Sequence, residues 1–135
     1  MNLDGIINIS GKPGLYKVIS QGNNIVVVES LIDGKKTPLH SNAQANMLEE
    51  IGIYTNDDTK PLSDIFDNIA QKENGNQTIN HKSPVSELLA YFIEILPDYD
   101  QDRVYISDIK KVFQWYNTMQ KHGLIELPKT EASEK

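Results

Sequence analysis

The sequence predicts an α+β protein: a small SH3-like β-barrel at the N-terminus, followed by a C-terminal three-helix bundle. Three observations predict this. Short runs rich in β-branched residues, separated by tight-turn residues, fill the first third of the chain. Apolar residues then recur at i, i+3, i+4 and i+7 through most of the remainder. The change of period falls after residue 56. This divides the chain into a barrel-like domain over 1–56, a helical domain over 57–126 and a disordered polar tail over 127–135.

The strands come first. Ile6, Ile7 and Ile9 form a short apolar run, and Leu15 to Ser20 forms a second. Between them, Lys12-Pro13-Gly14-Leu15 has the residues of a phosphate loop but not its grammar. Pro13 has no N–H to offer a phosphate, and a strand follows where such a loop opens a helix. A type II turn fits instead, with Pro13 presetting φ and Gly14 supplying the positive φ that follows. Ile25 to Leu31 is the third run, rich in Val and Ile, which suit a pleated surface. Gln21-Gly22-Asn23-Asn24 and Asp33-Gly34 are hairpin turn signals on either side of it. Lys36 to His40 is a weaker strand, placed at an edge by Pro38. Ser41 to Glu50 reads as a short helix on the spacing of Ala45, Met47, Leu48 and Ile51. Gly52 to Thr55 reads as the last strand, which would complete the barrel.

Three helices follow. Leu62, Ile65, Phe66 and Ile69 define the first, with Pro61 at its start. Lys72 to Lys82 is a polar loop containing Asn74-Gly75. Ser83-Pro84 opens the second helix as a cap followed by a first-turn proline. Val85, Leu88, Leu89, Phe92 and Leu96 line one face of it, widened by Tyr91 and Ile95. The third helix is capped by Ser107 and carries Asp108 at its positive end. Ile109, Val112, Phe113, Tyr116 and Met119 form its buried stripe. Lys121 and His122 suit the negative end, and Gly123 is placed for a left-handed cap that folds Leu124 back on Met119.

Composition narrows the function classes. The chain has 135 residues, 39% of them hydrophobic, and no cysteine. Disulfides and thiolate metal sites are therefore excluded. The start has no basic segment before an apolar one, and no run approaches the roughly 20 apolar residues of a membrane helix. The expectation is a cytoplasmic protein with no membrane association. The net charge of −6 is uneven: −1 over residues 1–54, −6 over 55–100 and +1 over 101–135. A polyanion is repelled by the middle of the chain and not by its ends.

No motif carries a reaction. Asp98-Tyr99-Asp100-Gln101-Asp102 opens like an EF-hand loop, but Arg103 stands where glycine is needed and Ile109 where a bidentate glutamate belongs. A solvated turn, or pairing with Arg103, is the simpler reading. His40, His81 and His122 are far apart, with no second ligand at metal spacing. Glu49-Glu50 and Asp57-Asp58 are adjacent pairs, which usually point apart. No catalytic residue, metal ligand or cofactor is assigned.

The segments ISGKPGLYKVIS, VVVESLIDGKK, IYTNDD and LPDYDQDRVYISDIKKVFQWYN resemble an uncharacterised bacterial family. In it an N-terminal domain of unknown function is followed by a small helical domain, also of unknown function. The resemblance runs nearly to Leu124, with DYDQDRVYISDIKKVFQWYN its most specific stretch. It implies a small cytosolic bacterial protein of two parts. It carries no established activity, so no catalytic residue transfers.

The functional expectation is a non-enzymatic binding or adaptor protein that recognises an unknown protein partner or associates with itself. The candidate contacts are Lys12, Tyr16 and Lys17 on the barrel and Lys111 and Trp115 on the last helix. Trp115 flanks its helical stripe, so its ring is expected to be partly exposed. The alternative is RNA or other nucleic-acid binding, using Lys12, Lys17, Lys35, Lys36, Arg103, Lys110, Lys111 and Lys121.

Overall fold

The computed structural model describes residues 3, 5–9, 14–22, 25–39 and 44–125. The chain forms two compact units, one spanning Asn2–Ile51 and the other beginning at Gly52.

The first unit is an antiparallel sheet. Its strands are β1 (Ile6–Ile9), β2 (Tyr16–Gly22), β3 (Ile25–Ser30), β4 (Lys36–Leu39) and β5 (Ala45–Met47), in the order β4-β3-β2-β1-β5. Alternation decides which side is buried. Ile7, Ile9 and Val28 are buried together, and Tyr16, Val18, Val26, Leu39 and Met47 pack against them. The register stacks these side chains across neighbouring strands: Ile7 faces both Tyr16 and Met47, and Val28 faces Val18. A bulge between Val18 and Ser20 shifts the register of β2, so Ile19 has no partner on β3.

Two turns follow the sequence reading. Gly34 has φ +74, and the Asp33 carboxylate accepts the Lys35 N–H at 3.0 Å. Gly14 has φ +79, the conformation a type II turn asks of it. Lys12 and Pro13, the other half of that turn, lie outside the described residues.

The barrel expectation is corrected. Among the described residues β4 and β5 are the two edges of an open sheet. Gly52–Tyr54, expected to complete a barrel, instead forms β6 and pairs with β7 (Thr59–Pro61), Gly52 opposite Pro61 and Tyr54 opposite Thr59. The helix expected over 41–50 is also corrected. Ala45 and Met47 pair with Ile9 and Ile7 as β5, and Leu48–Glu50 is a single 3₁₀ turn.

The second unit joins that hairpin to α1 (Leu62–Glu73), α2 (Val85–Ile95) and α3 (Ile106–Lys121). It is thus not a plain three-helix bundle. Leu62, Ile65, Phe66, Ile69, Leu88, Phe92, Ile109, Phe113, Tyr116 and Met119 have no exposed surface. Edge-to-face rings tie the helices together, Phe66 on Tyr116 at 5.9 Å between centroids and Phe92 on Phe113 at 6.0 Å. Phe92 also meets Tyr99 at 4.9 Å. Each such pair adds roughly 0.5–1.5 kcal/mol beyond its burial.

Helix ends follow local chemistry. Asn74 takes the left-handed conformation after α1, with φ 56. At α3 the Asp108 carboxylate accepts the Tyr105 N–H at 3.0 Å, so the cap is Tyr105 rather than Ser107. The far end of α3 is a Schellman motif: Gly123 has φ +74, its N–H donates to Gln120 and that of Leu124 to Met119.

Candidate functional site

Taken one by one, the sequence candidates do not assemble into a site. Lys12 lies outside the described residues. Tyr16 is half-buried and packs on the sheet core, while Lys17, next in the strand, is exposed on the other face. There it stands opposite Glu29, which stands opposite Lys36 on β4. The outer face thus carries a row of alternating charge, which supports the sheet. Lys111 is exposed on α3. Trp115 corrects the sequence reading: it is only 8% exposed, so its ring offers little surface to a partner.

The acidic segment after α2 is a brace. Asp100 accepts the Asp102 N–H at 2.9 Å and the Arg103 Nε–H at 2.7 Å. Those bonds, the Arg103 contact first, hold its carboxyl below the usual range. The Arg103 guanidinium lies over the Tyr54 ring, 4.3 Å from its centroid. The Asp100 N–H donates to the Tyr54 carbonyl and the Asn56 N–H to the Asp98 carbonyl, both at 2.9 Å. The residues that look like an EF-hand thus clamp the β6–β7 hairpin. Among the described residues, no three His, Asp or Glu side chains group closely enough to hold a metal ion.

A second cluster anchors the polar loop between α1 and α2. Glu73 accepts the hydroxyls of Tyr91 and Thr78. Burial, reinforced by that carboxylate, drives the Tyr91 phenol far above its ordinary value. Burial likewise pushes Tyr116 up to about 12, and its hydroxyl donates to the Asn76 carbonyl at 3.0 Å. Asn117 grips the same loop: its Oδ1 accepts the Thr78 N–H at 2.8 Å, and its Nδ2 donates to the carbonyls of Ile79 at 3.2 Å and Thr78 at 3.4 Å. His81, at the loop's end, has a lowered pKa because burial, then Lys82 and Lys110, disfavour its charged form.

A groove of about 580 Å³ is lined by Asn68, Gln71, Lys72, Glu94 and Ile95. Three of these side chains, Asn68, Lys72 and Glu94, already have partners. Lys72 pairs with Glu94 at 2.7 Å, which raises the lysine's pKa, and Asn68 Nδ2 donates to the Ile95 carbonyl at 3.0 Å.

The feature missed by the sequence reading is on α2. Leu88, Phe92 and Ile95 point into the core, but Val85, Leu89 and Ile93 remain 48, 38 and 42% exposed. These three recur every fourth residue, so they form one stripe along the helix. The apolar spacing places Val85 and Leu89 on the buried face and leaves Ile93 on neither. The signal was present: the helix has more apolar residues than one face can bury.

Fold and geometry together define a two-part α+β protein with an exposed aliphatic stripe on α2. The chain belongs to the family described as Domain of unknown function (DUF6852), which matches residues 51–119. The preceding part matches Domain of unknown function (DUF5606) over residues 3–48. A solution NMR structure of a Bacteroides vulgatus protein, a structural genomics target, is 43% identical to it. The match covers 93% of this chain and 91% of that one, with a TM-score of 0.75. No curated protein matches the chain. Among the described residues, no helix is long and apolar enough to cross a membrane.

Proposed function

We propose that this chain is a non-enzymatic binding or adaptor protein, with the exposed face of α2 as its contact surface. The observation that carries this reading is the stripe of Val85, Leu89 and Ile93. A surface helix normally keeps its apolar residues on one face, and a second exposed aliphatic face marks an interaction site. The test is a photo-cross-linking amino acid at position 89, with exposed position 114 as control, in the native cell. Protein adducts are expected from 89 and not from 114. Their absence at 89 overturns the reading.

Nucleic-acid binding retains one observation in its favour. Lys17 and Lys36 share the outer face of the sheet. Glu29 stands between them, and Arg103 is engaged by Asp100 and Tyr54. Retention of mixed RNA at low salt, lost steeply as salt rises, would support it. No retention at low salt ends it.

A further inference from the structure

We propose that the stripe on α2 is covered by a second copy of this chain, the two α2 helices packing antiparallel about a two-fold axis through Leu89. The proposal rests on the binding role assigned above and names its partner.

The stripe is symmetric about its own centre. Val85 and Ile93 stand one equal step either side of Leu89 and are similarly exposed. A two-fold axis through Leu89 therefore lays Leu89 on Leu89 and Val85 on Ile93, an isologous contact in which one patch completes itself. The two ends of the stripe also differ in charge. Lys82, just before α2, and Asp98, just after it, are both exposed. The antiparallel register brings the lysine end of one stripe to the aspartate end of the other, twice by symmetry. A parallel register would set like charges together.

A basic partner is less well matched. The acids of α2 are Glu87 and Glu94, which the helical repeat places on the side away from the stripe. Glu94 is also paired with Lys72. Neither acid of α2 lines the stripe to call for lysines or arginines.

The interface is small. Three aliphatic side chains fall well short of the roughly 1,600 Å² of a standard-size complex. A dimer in the micromolar to millimolar range is therefore expected.

Sedimentation equilibrium of the full chain, from micromolar to millimolar concentration, tests this. The mass is expected to rise from 15.2 kDa toward twice that value. Leu89→Asp is expected to raise the dimer Kd at least about tenfold. Helical circular dichroism is expected to be retained, since Leu89 is already partly exposed. Lys82→Glu and Asp98→Lys should each weaken self-association severalfold, and mixing the two variants should restore it. A mass fixed at that of the monomer up to millimolar concentration overturns the proposal, as does failure of the mixture to associate better than either variant alone. The cross-linker at position 89 separates this from the broader reading. An adduct of two copies supports the dimer. An adduct with a different protein overturns the dimer and leaves a binding role standing. No adduct overturns both.

Discussion

Asn117→Ala tests whether the loop between α1 and α2 is held by α3 rather than by its own sequence. The substitution removes one accepted and two donated hydrogen bonds, at 2.8, 3.2 and 3.4 Å. Each is worth roughly 0.5–1.5 kcal/mol net, with the two longer ones near the lower bound. The sum is about 2–3 kcal/mol. Alanine is the better helix former, which offsets up to about 0.7 kcal/mol. The expected loss is therefore about 1.5–2.5 kcal/mol, read as a lower urea midpoint at unchanged slope. Amide exchange adds a local readout: the Thr78 N–H, which donates to Asn117, should lose protection while Phe92 and Phe113 keep theirs until global unfolding. Gln114→Ala, on the exposed side of the same helix, should stay within about 0.5 kcal/mol of the parent. A loss below about 0.5 kcal/mol for Asn117→Ala, with Thr78 still protected, would refute the anchoring role.

Gly14→Ala should cost about 1–2 kcal/mol from its positive φ. The added methyl also meets Ile32, an exposed side chain free to swing away, so the cost should persist in an Ile32→Ala background if the backbone is the cause. Phe92→Ala, at the junction of Tyr99 and Phe113, should cost about 3–5 kcal/mol by thermal or urea unfolding. His81 should make stability fall in mild acid. Its pKa is lowered in the folded chain, so below the ordinary value of 6.5 the unfolded chain takes up a proton that the folded one resists. Stability contributed above that pH is lost as the pH drops through 6.5 toward the folded value, and His81→Gln should flatten the profile over that window. A parent and variant with parallel pH profiles would remove His81 as the cause.

What was legible in the sequence was local. The Gly123 cap of α3 needed only a glycine, a hydrophobic residue beyond it and a stripe that stopped, and Gly123 takes the positive φ while the Leu124 N–H returns to Met119. The runs in β1, β2 and β3 declared themselves through β-branched residues. Ala45-Asn46-Met47 did not, because alanine and methionine favour helix in isolation and only pairing with Ile9 and Ile7 makes them a strand. β7 was silent for a similar reason: Thr59-Lys60-Pro61 has one β-branched residue and a proline. The anchoring of the α1–α2 loop depends on side chains about 40 positions away, such as Asn117 and Thr78. No window of sequence contains both partners. The stripe on α2 was half legible. The spacing puts Val85 and Leu89 on the core face and leaves Ile93 out, and it gives Trp115 the exposure that belongs to Leu89.

The hairpin of β6 and β7 settles where the two halves may be cut apart. A fragment started at residue 57 would leave Asp98 and Asp100 without the backbone groups of Asn56 and Tyr54, and Arg103 without its aromatic cushion. One started just ahead of Gly52 carries its own bracing with it. Whoever expresses the helical half alone should therefore place the start codon before that glycine, and should expect the shorter version to be the more protease-sensitive of the two.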